Sequence, residues 1–182
     1  QTAFPQLRTV SLQDTVGRRF RDVRLGLIKT GERNLARPLL SHMGEGDLVH
    51  LDRGFYGLEF LREIRRRGAE FLVRIPAHVK LKAVLGTRKH DGDYLAWISA
   101  RVPLAPGEQS ASGWPSTTKV VRILVRVLEY RFRGFERVRL AVSVTDHSIP
   151  ALDWILQFHE RWEAEIGFDE IDFTSIVFGI LQ

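Results

Sequence analysis

The strongest constraint on the fold is the way the hydrophobic period changes between residues 7 and 76. LRTVSLQDT (7–15) and RFRDVRLGLI (19–28) alternate apolar and polar residues on either side of Gly17. A period of two around a glycine turn predicts a β-hairpin with one buried face. Thr30-Gly31-Glu32 then opens a helical pattern that continues to about Met43, with Leu35, Leu39 and Leu40 at helical spacing, before Gly44 and Gly46 end it. DLVHLD (47–52) is a short apolar strand pattern, and LEFLREIRRR (58–67) is an amphipathic helix with Leu58, Leu61 and Ile64 on its inner face. Gly68 stops that helix, and EFLVRIP (70–76) predicts a further strand closed by Pro76. A hairpin followed by alternating units, β-β-α-β-α-β, predicts a mixed α/β sheet.

The character changes after residue 78. Strand-like pieces recur at 79–85, 93–99, 119–130 and 136–145, and PLAPGEQSASGWPSTT (103–118) is a loop rich in Pro, Gly and Ser. This stretch is expected to be an all-β insertion rather than a separate domain. Pro150 leads into a helical pattern to about residue 171, and the chain closes on FTSIVFGILQ, apolar and without a period. The expected division is a core at 1–77, a β-rich insertion at 78–147, and a return to the core at 148–182.

Composition narrows the function classes. A chain of 182 residues has room for one ordinary domain. Its formal net charge is +5, and most of its basic residues are Arg. The guanidinium fork matches phosphate geometry, so a polyanion is a natural partner, although an Arg-rich composition alone gives the same charge. There is no cysteine, which excludes disulfides and thiolate metal sites. The six histidines, His42, His50, His78, His90, His147 and His159, show no metal-ligand spacing. No apolar run reaches the roughly 18 residues of a membrane span, and no signal peptide is visible, so a cytoplasmic location is expected.

Two segments carry residues suited to chemistry. Leu51-Asp52-Arg53-Gly54-Phe55-Tyr56-Gly57 puts a carboxylate at the C-terminal end of a buried strand, ahead of a glycine turn. Strand ends meet loops there, which is where open α/β sheets place catalytic groups. An Asp in that place equally serves to cap the turn or the next helix. The second segment is FHERWEAEIGFDEID (158–172), where Phe158, Arg161 and Glu165 share one helical face that Asp169 and Asp172 extend. An Arg beside a carboxylate can hold a phosphate and a metal side by side. The same pair also reads as an exposed i,i+4 ion pair.

Together the two segments resemble the insertion-sequence-4 family of bacterial DDE transposases. LVHLDRGFYGLEFLREIRRRGAEFLVRIPAHVKL is similar to the family's segment around its second catalytic Asp. AFPQLR and TGERNLARPLL look like its lead-in, and FHERWEAEIGFDE looks like its late-helix signature of Tyr, Arg, Glu and Lys. The resemblance covers about residues 1–172 and implies a ribonuclease H-like mixed sheet, with a β-rich insertion before the final catalytic helix. It makes Asp52 the second and Glu165 the third acidic residue, and Arg161 the signature Arg that holds DNA phosphate, with Arg53 beside it. Phe158 stands where the family's Tyr would be, which removes a hydroxyl contact to phosphate, and Asp172 stands where Lys is commoner. The first Asp and its strand are expected before the hairpin, but only six residues precede it, and Asp14 and Asp22 fall in the wrong strands. The chain, which opens on Gln1, therefore reads as a truncated copy lacking the first Asp and its strand, with its last ten residues off the family pattern.

The resemblance implies that Asp52 and Glu165 hold Mg²⁺ or Mn²⁺ through oxygen ligands. It further implies cleavage at transposon ends and strand transfer into target DNA in a bacterial, nucleoid-associated setting, with a homodimer on DNA as one form of the parent protein. Arg122, Arg126, Arg131, Arg133, Arg137 and Arg139 of the insertion, and Arg62, Arg65, Arg66 and Arg67 after Asp52, are the candidate contacts to double-stranded DNA; solvated polar faces are their alternative reading. A DNA-binding remnant without catalysis is the competing function, and an unrelated metal-dependent nuclease is a third, disfavoured by the insertion. Three structural expectations follow. The Asp52 and Glu165 carboxylates should converge within roughly 10 Å. Residues 78–146 should be mainly β and project from the body. Without a first strand, the hairpin and the 47–52 strand should have unpaired inner edges.

Overall fold

The computed structural model describes residues 7–17, 19–89, 92–108, 117–166 and 175–181, with side chains described as far as residue 160. Strands β1 (Leu7–Asp14) and β2 (Arg19–Leu27) form the expected hairpin, antiparallel with a register shift between Leu12 and Gln13. Asp14 closes the turn, its carboxylate accepting the backbone N–H groups of Val16 and Gly17 at 3.0 and 3.1 Å. Helix α1 (Glu32–Ala36) is shorter than its pattern suggests and continues as a 3₁₀ segment, Arg37–His42. Pro38 is the physical reason, because it has no N–H to give an α-helical bond. Strand β3 (Leu48–Leu51), helix α2 (Leu58–Arg66) and strand β4 (Glu70–Arg74) follow as read from the sequence. The predicted inner residues of α2, Leu58, Leu61 and Ile64, are all buried, together with Phe60.

The remaining elements are β5 (Lys82–Ala83), β6 (Asp93–Pro103), β7 (Thr118–Tyr130), β8 (Val138–Val142), α3 (Ala151–Ile166) and β9 (Ser175–Leu181). Strands β5 to β8 make up most of the described part of 78–146. They are joined edge to edge to the rest: β8 pairs antiparallel with β4, so the described strands make one sheet in the order β2-β1-β9-β3-β4-β8-β7-β6-β5.

The place of β9 differs from expectation. The apolar C-terminal segment lies between β1 and β3, parallel to the first and antiparallel to the second. The inner edges of the hairpin and of β3 are therefore paired. β9 is an interior strand of the sheet, a position where a strand need not show the period-two alternation of a half-solvated one.

Two apolar layers sandwich the sheet. On one face Val10, Leu12, Val49, Leu51, Phe71, Val73, Val125 and Val127 pack under Leu39 and Leu40 of the 3₁₀ segment and Leu61 and Ile64 of α2. On the other, Leu72, Leu128, Leu140 and Val142 pack against Trp154 and Phe158 of α3. β3 and β4 run parallel, so their C-terminal ends open on the same side of the molecule.

Candidate active site

Asp52 follows the last residue of β3 at that open end and is half-buried. Its carbonyl oxygen accepts the N–H of Phe55 at 3.0 Å, starting the 3₁₀ turn Arg53–Phe55. Its carboxylate makes no capping hydrogen bond, so the capping role open in the sequence is not the one this side chain takes. The loop is fastened around it. Phe55 is fully buried, and Arg33 donates to the carbonyl of Tyr56 at 3.3 Å. A Cβ at Gly54 would overlap the Glu32 carboxylate, and one at Gly57 would overlap the Arg33 guanidinium. Both groups are the far ends of flexible side chains, so the glycines give room for these two side chains of α1 beside the loop. Arg53 is exposed at the loop's surface.

The direction of α3 follows from what its side chains touch. Arg126, in the middle of β7, donates to the carbonyls of Asp146 and Ile149 just before the helix, at 2.8 and 2.7 Å. Further along, His159 meets Tyr130 at the end of β7, Nε2 to hydroxyl 2.9 Å, and both rings lie edge-on to Phe132. Burial pushes the Tyr130 hydroxyl up to about 12, against the pull of the Arg74 charge, so the phenol stays protonated at neutral pH, and the tautomer of His159 sets which of the two groups donates. Tyr130 pairs with Val138, and Leu140 with Arg74, in register. The helix therefore runs toward the end of the sheet where β3 and β4 finish.

Several predicted residues sit elsewhere than expected. Phe158 is 2% exposed and packs α3 onto the sheet, so it is a core residue with no surface to offer DNA phosphate. Arg126 is 1% exposed and held by both oxygens of Asp93, Nε to Oδ1 2.9 Å and Nη2 to Oδ2 2.8 Å. It ties β7 to β6 and to the entry of α3, and it is withdrawn from the DNA contacts read from the sequence. The same holds for Arg139, whose guanidinium donates to the carbonyls of Pro76, Ala77 and Val79 at 2.8 to 3.0 Å. Arg65 is engaged by Glu70 and the carbonyl of Ala69.

Other basic residues remain at the surface. Arg66 and Arg133 are exposed. Arg131 lines a cleft of about 350 Å³ with Arg88, Tyr130 and Arg137. Arg122 lines another of about 400 Å³ beside Lys82 and Trp97. The side chains of Arg161 and Glu165 lie outside the described residues, as do Asp169 and Asp172 altogether, so the expected convergence of Asp52 and Glu165 rests on atoms not described. Asp14 is a turn residue at the opposite end of β1 from the Asp52 side of the sheet. Asp22 is engaged by His42 and Arg24 at 3.1 and 2.7 Å, contacts that hold its carboxyl below the ordinary 3.8, the His42 bond contributing most.

Sequence reasoning missed Tyr130, His159 and the Arg126–Asp93 lock. For Arg126 a signal existed: it interrupts an apolar run, Ile123 to Leu128, in mid-strand, where an arginine is buried only if paired.

A mixed sheet with an Asp free of capping at the end of a buried strand, and a late helix directed to the same end, is compatible with a ribonuclease H-like fold. The transposase DDE domain family matches residues 1–172, and the chain belongs to that family. It is 25% identical over 172 residues to the transposase InsG of insertion sequence element IS4 from Escherichia coli (strain K12). The match covers 94% of this chain and 37% of that relative, so the chain spans well under half the relative's length.

Proposed function

We propose that this chain carries part of the catalytic centre of an insertion-sequence-4-type transposase, with Asp52 and Glu165 as two of its metal-holding carboxylates and double-stranded DNA as substrate. The observation that carries the reading is the Asp52 carboxylate, free of capping duty at the strand end of a chain that matches the family over residues 1–172. Its donor atoms suit a hard divalent cation such as Mg²⁺ or Mn²⁺. Such ions, once bound, polarise the phosphate and activate the attacking water or 3′-hydroxyl. The chain's own contribution is positional. The Arg33 bond to the Tyr56 carbonyl and the buried Phe55 hold the loop after Asp52. The buried Trp154 and Phe158 and the Tyr130–His159 bond fix α3, and Glu165 lies six residues beyond His159, about 9 Å further along the helix axis. Arg161 on that helix and Arg53 on the loop are the proposed phosphate contacts, with Arg66, Arg122, Arg131 and Arg133 giving general affinity for DNA.

A second reading, DNA binding without cleavage by these 182 residues, is favoured by one finding. Asp14 and Asp22, the carboxylates of the hairpin that precedes Asp52, are both committed elsewhere. We therefore expect the 182-residue chain to bind duplex DNA with a steep salt dependence and to leave it intact in Mg²⁺ or Mn²⁺. The check is a binding series at several salt concentrations beside a nicking and joining assay on supercoiled plasmid. Divalent-dependent nicking that is lost in Asp52→Asn and Glu165→Gln would replace the second reading by the first for this chain. Nicking that survives both substitutions would remove these two residues from the centre.

A further inference from the structure

We infer that Arg8, Arg33 and Arg37 form a pocket for a backbone phosphate of DNA, next to the one at Asp52. These residues surround a cleft of about 320 Å³, whose wall also contains Gly54, two positions after Asp52. The three arginines come from β1, α1 and the 3₁₀ segment, and no motif in the sequence brings them together.

Their contacts explain why an anion is the fitting occupant. Arg8 donates to the carbonyl of Thr30 at 2.6 Å, and Arg33 to the carbonyl of Tyr56. A carbonyl orients a guanidinium without neutralising it, and each guanidinium has five N–H donors. Among the described contacts most of those donors remain unused. Arg37 is paired with Glu63 at 3.3 Å and is half exposed, so it forms the rim. Two carboxylates share the wall. Glu59 is already paired with Arg62, and Glu32 is pressed against Gly54 on the side of the loop. With Arg37 and Glu59 paired, Arg8 and Arg33 outweigh Glu32, so the remaining charge is positive and sits in a cleft the size of a small ligand. Forked N–H donors match phosphate oxygens, and the cleft opens beside the strand end that carries Asp52. Bound there, a phosphate neighbouring the reacting one would set the register of the DNA across the Asp52 loop, through the same Arg33 that holds Tyr56. Arg8 and Arg33 are thus positioning residues for the substrate.

The inference rests on the transposase reading for its choice of DNA, and two arms separate the failures. In the first, duplex binding by the 182-residue chain is measured against salt for wild type, Arg8→Gln, Arg33→Gln and Arg37→Gln. Arg19→Gln, at the far end of the sheet, is the equal-charge control. Each lost phosphate contact should lower the log–log salt slope by about 0.9. Arg8→Gln and Arg33→Gln should also weaken binding about 3- to 10-fold at ~0.1 M salt, a loss of about 0.7–1.4 kcal/mol. Urea midpoints near wild type and rescue of affinity by Arg8→Lys would distinguish a contact from a folding defect. Slopes and affinities equal to those of Arg19→Gln overturn the pocket while leaving the transposase reading intact. In the second arm, the arginine Nε–H signals are followed by NMR during titration with pyrophosphate. If wild type binds no duplex, the transposase reading fails; selective movement of the Arg8 and Arg33 signals then still supports a phosphate pocket, and their silence overturns it.

Discussion

The Arg126–Asp93 pair shows how much one buried charge can hold. Two parallel N–H to oxygen bonds join the guanidinium to the carboxylate, and the remaining donors fasten the segment that enters α3. Breaking such a pair by removing one partner leaves an uncompensated charge in the interior, at a cost of about 3–5 kcal/mol. Arg126→Ala should lose stability on that scale in urea, and Arg126→Met combined with Asp93→Leu should recover most of it. The pair also predicts a pH dependence. Burial pushes the Asp93 carboxyl up, but the hydrogen bond and charge of Arg126, helped by His147, hold it below its ordinary 3.8. A carboxyl lowered in the folded state contributes stability that is fully present above the unfolded value and is lost as pH falls through the folded one. Wild type should therefore lose stability as pH falls below about 4, and Asp93→Asn should show a flatter profile over that range. Equal acid profiles for the two proteins would show that Asp93 is not ionised in the fold.

At the scale of elements, β9 is the piece on which the sheet depends. It supplies the hydrogen bonds that β1 and β3 need on their facing edges. Buried backbone groups left unpaired cost about 1–3 kcal/mol each, and an open edge recruits other chains. Ending the chain at residue 174 should therefore abolish amide protection in Val10–Leu12 and Val49–His50 and produce aggregates in size-exclusion chromatography. Full protection of those amides in the shortened chain would mean that β1 and β3 do not need β9. The slot it fills lies between the hairpin and the Asp52 strand, where the resemblance places the strand carrying the first Asp. A strand joined to β1 by a tight turn would run antiparallel to it, whereas β9 runs parallel. The slot is thus filled in the reverse sense by a segment whose placement no sequence pattern indicated.

At the scale of the whole molecule, the division into core and insertion does not correspond to separate sheets. β8 bonds to β4 at Leu72↔Val142 through Arg74↔Leu140, and Leu140 and Val142 share an apolar layer with Leu72 and Trp154. One continuous sheet predicts one cooperative unit. Unfolding in urea should give coincident transitions by far-UV circular dichroism and by tryptophan fluorescence, since Trp97 lies on β6 and Trp154 on α3. Excised residues 78–147 should fail to fold, because the β8 edge would lose β4. Two separated transitions, or a folded excised piece, would make the insertion an independent domain.

Much of this architecture was determined by the sequence alone. The hairpin, the Asp52 strand, α2 and β4 were legible because each has a face of its own, and a period of two or 3.6 records which side is buried. Asp52 was legible for the same reason, as a carboxylate at the end of an apolar run and before a glycine turn, and the family resemblance rested on that segment and the FHERWEAEIG helix. Tertiary structure decided the rest. β9 is an interior strand, paired on both edges, where alternation is not required. Arg126 reads as one more surface arginine until Asp93, 33 positions away, is brought across the strand pair to meet it. Arg8, Arg33 and Arg37 become one pocket only when β1 and α1 are laid beside the loop after Asp52. Local patterns record the side of an element that faces inward; the partner of a charge depends on contacts between distant parts of the chain, which local patterns do not record.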